Sequence, residues 1–300
     1  MTTSNGLLLI DKPGGVTSHD VVARVRRELG EKKVGHAGTL DPMATGLLIL
    51  AVGPSTRLLR FAQNEVKRYV GTVLLGVATD SLDADGDVVA EMAVPALDAK
   101  EVQRTASAMV GTQLQTPPMV SALKVAGTRL HELARRGIEV EREPRTITIV
   151  EFHVTPTTDP ARWDFDVVCS VGTYVRVLLS DLATRLGTCG HLVALRRLAS
   201  GSHDVRDAVT LEELHERLAR GESTLQAPRA FVDHLEHVRL TEDEARRVRM
   251  GQMLILADTF AGSEIAAIDD GGDLVAILQR RGERWKPDVV LTEPSSNGHG

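Results

Sequence analysis

The run GLLILAVG, Gly46–Gly53, is apolar without interruption and reads as a buried strand. The segment leading into it, GHAGTLDPMATG from Gly35 to Gly46, is built from small and polar residues with hardly any apolar anchor. A hairpin connection needs only about two to five residues, so a loop of this length usually has a function. It carries one carboxylate, Asp41, with His36 five residues before it. An Asp before Pro commonly starts a turn, because its side chain bonds nearby backbone N–H groups. A loop that opens into a buried strand can also hold a carboxylate at the floor of a cleft.

With 300 residues and 42% apolar content, the chain can bury a large core, and two domains are expected. The longest aliphatic run, Leu47 to Val52, is far shorter than the ~20 residues a bilayer span needs. GLLLI near the start has no basic segment before it and is followed at once by Asp11 and Lys12, so it does not read as a signal peptide. The two cysteines, Cys169 and Cys189, show no ligand spacing, and a reduced, cytoplasmic, metal-free protein is expected. DSLDADGD resembles a calcium loop, but aligning its Gly86 puts Ser81 and Met92 where that loop needs Asp and Glu. No phosphate-binding glycine loop and no HExxH motif is present. The net charge of −6 argues mildly against a nonspecific polyanion binder. Basic clusters nevertheless flank the Asp41 loop, at Arg24–Arg27, Lys32–Lys33 and Arg57–Arg68, and recur at Arg280–Lys286.

Periodicity gives a mixed pattern. GLLLIDKP is a short strand, followed by the helix SHDVVARVRREL with Ser18 as the expected N-cap. Residues 69–79 read as one strand, 98–110 as a helix, RLHELARRG as a helix, and RTITIVEFHV and WDFDVVCSV as strands. YVRVLLSDLATRL has helical spacing, with Val175, Leu178, Leu179, Leu182 and Leu186 on its apolar side. From about residue 238 the chain is Gly-punctuated and strand-rich, which suggests a small separate β domain. Both tyrosines, Tyr69 and Tyr174, lie beside basic residues, in KRYVGTV and SVGTYVR, where one could stack on a base.

GHAGTLDPMATGLL, DKPGGVTS, KRYVGTVLLG, SALKVAGTRLHELARRG, CSVGTYVRVLLSDLATRLG and HLVALRRL, in this order, resemble the bacterial tRNA pseudouridine-55 synthases, the TruB family. The tail, with LTEDEARRVRMGQ and GDLVAILQRRGERWKPDVVL, is similar to a PUA RNA-binding domain. The resemblance implies an α+β fold: a mixed, largely antiparallel sheet with flanking helices in residues 6–235, and a small β-barrel-like PUA domain in 238–292. Disordered tails are expected at 1–5 and 293–300. It implies isomerisation of the uridine at position 55 of the tRNA T-loop, without cofactor or metal, by a monomer that needs no protein partner or membrane.

The resemblance also assigns residues. Asp41 is the essential carboxylate, nucleophile at C1′ or initiator of an elimination, after the target base is turned out of its stack. Arg176 is its cationic partner, although a pairing with Asp181 on the same helix is an alternative. Tyr69 packs on the base and assists proton removal at C5. His36 contacts the rearranged loop, Lys12 and Pro13 brace the catalytic loop, Asp83 contacts flipped nucleotides, Leu195 lines the base pocket, and Tyr174 joins the substrate-binding set. Val120, His131, Val171 and Ala183 depart from frequent family residues. Two other classes stay open on the residues alone: a hydrolytic glycosidase, which would want a second carboxylate in the loop, and a noncatalytic RNA-binding protein.

Overall fold

The computed structural model describes residues 4–63, 66–121, 124–125, 128–129, 137–138, 140–256 and 259–291. Along the chain it forms β1 (Gly6–Lys12), α1 (Ser18–Leu29), β2 (Val34–Ala37), β3 (Thr45–Val52), α2 (Leu59–Gln63), β4 (Lys67–Leu75), β5 (Val77–Thr79), β6 (Val88–Glu91), α3 (Ala99–Ser107), β7 (Gly111–Gln115), β8 (Lys124–Val125) and β9 (Thr128–Arg129). Then follow β10 (Arg145–Pro156), β11 (Arg162–Cys169), α4 (Val175–Arg185), β12 (Gly190–Ser200), β13 (His203–Asp204), α5 (Leu211–Ala219), β14 (His237–Arg239), α6 (Glu242–Arg249), β15 (Glu264–Ile268), β16 (Leu274–Arg281) and β17 (Arg284–Val290). The chain groups into two compact units. One comprises Met1–Asp41, Leu47–Asn64 and Val205–Gly300, the other Pro42–Gly46 and Glu65–Asp204.

In the first unit, β3 is apolar on both faces and is buried on both. Leu47, Ile49 and Ala51 join one core with Leu7, Leu9, Phe61 and Phe231. Leu48, Leu50 and Val52 join another with Leu8, Ile10, Val21, Val22 and Val25. Successive strand residues point to opposite faces, so a run with no polar alternation must sit between two layers. β2 pairs antiparallel with β3, His36 opposite Leu50. The N-cap of α1 lies one residue earlier than expected, at Thr17. Thr17 accepts from the Asp20 N–H while the Asp20 carboxylate accepts from the Thr17 N–H, a reciprocal box that satisfies two orphan donors, and Gly30 ends the helix at φ +61°. Ser18, expected as the cap, is therefore inside the helix.

The C-terminal β segment of the same unit is a four-stranded sheet, β14-β15-β16-β17, and Leu254 bridges Trp285 on the outer edge of β17. It also carries α6, capped by a Thr241–Glu244 box. β15 alternates between two cores. Ile265 and Ala267 face Val248, Leu254 and Trp285, while Ala266 and Ile268 share the core of Leu7, Leu9 and Leu47. Arg60 adds ion pairs to Glu264 and Asp288. The segment is thus not free-standing, because one face of its sheet is closed by the N-terminal strands. Asn5, placed by sequence in a disordered tail, is fixed as well: its Oδ1 accepts from Ser55 N–H at 3.0 Å and Ser55 Oγ at 2.7 Å. Residues 293–300 lie outside the described residues.

In the second unit the sheet runs β12-β4-β11-β10-β7, antiparallel throughout. The start of β3 adds a parallel pairing to it, Thr45 with Arg196 and Gly46 with Arg197. The expected strand over 69–79 breaks at Gly76, φ +91°, into β4 and β5. The apolar side of α4 is buried as expected. Of the helix expected over RLHELARRG, Arg129 belongs to β9 and residues 130–136, including His131, lie outside the described residues.

The parallel pairing at Gly46 requires glycine. Its φ is +97°, and a Cβ there would lie 2.3 Å from the Arg197 carbonyl oxygen and 2.9 Å from its nitrogen. Gly187, at φ +80°, has open space at the same position. Both substitutions to Ala carry the left-handed cost of about 1–2 kcal/mol, and only Gly46→Ala adds a backbone clash of about 1–3 kcal/mol. Denaturant melts should therefore show Gly46→Ala losing clearly more stability than Gly187→Ala; equal losses would contradict the packing.

Candidate active site

Within the first unit, Asp41 is half-buried, and the backbone just before it is tied to α1. Ser18 Oγ donates to the Leu40 carbonyl at 3.1 Å and accepts from the Leu40 N–H at 3.0 Å. Lys12 is completely buried at the end of β1, and its ammonium donates to the carbonyls of Pro13, at 2.9 Å, and Val16, at 2.7 Å. That closes the glycine-containing turn between β1 and α1, so Lys12 is a bracing residue of its own loop. His36, on β2, meets His19 edge-on, with ring centroids 5.5 Å apart. The sequence reading had not singled out His19.

Within the second unit, Tyr69 and Leu195 lie on the same buried face of the sheet. Tyr69 pairs with Arg197 and Leu195 with Gly71, so the two side chains are diagonal neighbours. Gly71 leaves room for this approach of the strands: a Cβ on it would sit 2.0 Å from the Ala194 carbonyl oxygen and 2.8 Å from the Phe165 ring.

Arg176 stands in the first turn of α4 and is 4% exposed. A cation at a helix N-terminus is disfavoured by the helix dipole and, when buried, by desolvation, so it needs a counter-charge and acceptors. Asp83 supplies the charge, at 3.2 Å, and the carbonyls of Ser81, at 2.7 Å, and Val120, at 3.0 Å, accept from the guanidinium. The second Asp83 oxygen accepts from Ser81 Oγ at 2.5 Å and the Asp85 N–H at 3.2 Å. The turn that delivers Asp83 places Leu82 at φ +64°, the one positive φ outside glycine among the described residues. A left-handed leucine costs roughly 1–2 kcal/mol and persists because the surroundings over-determine it: Leu82 C=O accepts from Leu192 N–H, and Asp83 C=O accepts from Thr79 Oγ1 at 2.7 Å.

These contacts decide against one of the two sequence-based partners of one residue and add a partner to another. The alternative pairing of Arg176 with Asp181 does not occur; the charge beside Asp181 is Arg185, which only partly offsets the upward push of burial on the Asp181 carboxyl. Asp83, which the resemblance places at the flipped nucleotides, is buried and pairs with the Arg176 guanidinium. Val120, one of the departures from frequent family residues, takes part through its carbonyl.

Tyr174 is the N-cap of α4, and its side chain does not cap the helix's own N–H groups. Its backbone is held by the buried amide of Gln115, which accepts from the Tyr174 N–H at 2.8 Å and donates to its carbonyl at 3.1 Å. Gln115 carried no sequence signal beyond its place before Thr-Pro-Pro. Ser18 did: the pattern Thr17-x-x-Asp20 is a capping box that names Thr17 as the cap and frees Ser18 for another partner. Lys67 and Arg197 are further buried cations that the sequence reading missed. Lys67 faces Cys169, whose thiol burial pushes up to about 11, with Thr173 and Lys67 acting in the opposite direction. It stays protonated and unreactive near neutral pH.

Asp83→Asn should cost about 3–5 kcal/mol, because it removes one charge of a buried ion pair. Asp166→Asn, which breaks the exposed Arg68–Asp166 pair, should cost at most about 1 kcal/mol. Thermal and denaturant unfolding of the two variants would check the contrast, and equal costs would refute it.

The chain matches the family described as TruB family pseudouridylate synthase, N-terminal domain, over residues 26–175. It also matches a tRNA pseudouridylate synthase B C-terminal domain over 176–238 and a tRNA pseudouridine synthase II C-terminal segment over 235–292. Among proteins named tRNA pseudouridine synthase B, it is 42% identical to that of Streptococcus pneumoniae serotype 2, covering 96% of this chain and 100% of the relative. It is 45% identical to that of Leifsonia xyli subsp. xyli, covering 93% and 94%. In fold it is similar to a chain of an H/ACA RNP bound to a substrate RNA containing 2′-deoxyuridine, with a TM-score of 0.74 at 22% identity over 97% of this chain and 86% of that one. A chain of a Cbf5-Nop10-Gar1 complex gives 0.72 at 23%, over 95% and 84%. With a half-buried aspartate in the GHAGTLDPMATG loop, a buried Arg176–Asp83 pair and matches that run from residue 26 to 292, this chain belongs to the TruB family of pseudouridylate synthases, which are isomerases.

Proposed function

We propose that this chain converts the uridine at position 55 of the tRNA T-loop to pseudouridine, with Asp41 acting on the ribose after the base has been turned out of its stack. The tRNA substrate is taken from the relatives' shared name, tRNA pseudouridine synthase B. The observation that carries the reading is the setting of Asp41. It is the one carboxylate of the Gly35–Leu48 loop, half-buried, on backbone that α1 holds in place.

The reaction is an isomerisation, so nothing enters or leaves. The N1–C1′ bond breaks, the uracil rotates while held, a C5–C1′ bond forms, and C5 then gives up its proton as N1 gains one. The Asp41 carboxylate either forms a bond to C1′, as a retaining glycosidase carboxylate does, or removes a ribose proton to begin elimination. Both routes need it ionised. Arg176 serves that need in this reading, and a guanidinium has five N–H donors, so its bond to Asp83 leaves chemistry for a second carboxylate. Tyr69 and Leu195 supply the apolar wall against which the uracil packs, and the Tyr69 phenol is the candidate base at C5. His36 and Tyr174 contact the RNA. Opening the T-loop costs a few kcal/mol, which phosphate contacts repay. The protein acts as a monomer in the cytoplasm; its two cysteines, both free, suit a reducing compartment.

Residues 238–292 are the PUA-like RNA-binding part, and Arg281, Arg284 and Lys286, all exposed at the β16–β17 turn, are its candidate phosphate contacts. Deleting the segment would strip the core around Leu7 and Leu47, so point changes are the sound probe. Replacing these three with Ala should weaken tRNA binding and lower its salt slope by roughly two to three, at unchanged turnover on saturating RNA. An unaltered slope would remove them from the interface.

The central test is mass-spectrometric or tritium-release detection of pseudouridine in T-loop RNA treated with the pure protein. Asp41→Asn should stop turnover with little loss of tRNA affinity. Residual activity within about tenfold of the unmodified enzyme, only ~1.4 kcal/mol of barrier, would sink the assignment. Free uracil as the product would make the chain a glycosidase.

A further inference from the structure

We propose that Ser18 is a positioning residue for Asp41, its hydroxyl locking the peptide unit that carries the carboxylate; this rests on the catalytic reading of Asp41 given above. The lever is covalent geometry. The Leu40 carbonyl belongs to the same planar unit as the Asp41 nitrogen and Cα, so an atom that fixes the Leu40 oxygen fixes the position of the Asp41 Cα. Ser18 Oγ does this at 3.1 Å and also takes the Leu40 N–H at 3.0 Å, so the peptide planes on both sides of Leu40 are held by one oxygen. Ser18 is 1% exposed and Leu40 3% exposed, so water has little access to replace either bond.

Few side chains can do this. A single atom must donate and accept at once, which a hydroxyl does, whereas Ala and a carboxylate cannot and a carboxamide needs two atoms for it. The anchor is rigid as well. Ser18 is the first residue of α1, whose start is fixed by the Thr17–Asp20 box and whose Val21, Val22 and Val25 are buried in the core around Leu48 and Leu50. Because Thr17 already caps the helix, the Ser18 hydroxyl is not needed there. An error of about 1 Å at a reacting group can cost a hundredfold in rate.

The test compares Ser18→Ala with Ser18→Cys, which keeps a weak donor and acceptor of similar size. In single-turnover pseudouridine formation at saturating tRNA, Ser18→Ala should be slower by about 10- to 100-fold, and Ser18→Cys should fall between Ala and Ser. The dissociation constant for tRNA should change less than about threefold in both, because RNA contacts are not altered. A folded Ser18→Ala protein with a near-normal rate would overturn the proposal. So would parallel losses of rate, affinity and thermal stability, or failure of both variants to fold, since either would make the hydroxyl a general folding determinant. Asp41→Asn is measured alongside. An inactive Asp41→Asn with a normal Ser18→Ala sinks this inference alone, whereas an active Asp41→Asn sinks the catalytic reading and this one together.

Discussion

The first unit is organised by the burial of both faces of β3. Each of its leucines and isoleucines is removed from water almost entirely, a gain of about 2 kcal/mol per side chain, and alternate residues contribute to different cores. A strand used in this way cannot shift register by one residue without exchanging the two sets, although both sets are apolar. Shape, and the β2 pairing that sets His36 opposite Leu50, must fix it instead. The Asp41 loop thus ends on one of the least adjustable elements in the chain. The role proposed for Asp41, which needs the carboxylate in one place, would gain from such a foundation.

The same constraint was the most legible part of the sequence. GLLILAVG could be read as a buried strand because its apolar run has no polar alternation, and the apolar stripe of α4 could be read from its spacing. Boundaries that depend on backbone geometry were less visible. The break at Gly76 interrupts a run that looks like one strand, and the cap at Thr17 lies beside a second residue, Ser18, with equal capping preference. There the local pattern decided between them through Asp20. The shared core between β15 and the N-terminal strands was not legible, since EIAAI gives no sign of what covers its second face.

Buried charge was the least legible feature. Arg176 and Asp83 are far apart in sequence, and each sits in a segment that reads well as something else, a helix start and a turn. Motif resemblance singled out both residues, but only coordinates show that they meet. Lys12 is a similar case: a lysine at the end of a strand reads as solvated, yet here the chain folds back so that its ammonium closes the turn of Pro13 and Val16. Burying a charge costs several kcal/mol unless acceptors are supplied. These residues are therefore poor choices for stability alone, and they mark places where the fold has been shaped around another demand.

The two units meet that demand by a similar device. In one, Ser18 closes both hydrogen-bonding groups of Leu40, the residue before Asp41; in the other, the Gln115 amide closes both groups of Tyr174, two residues before Arg176. Each clamp is neutral and buried, and each satisfies a donor and an acceptor of one residue. A charged clamp would add its own field to that of the nearby charged group and shift its protonation. A neutral side chain that both donates and accepts fixes the backbone with little effect on that field, so the position of a charged group and its electrostatic setting can be specified by different residues.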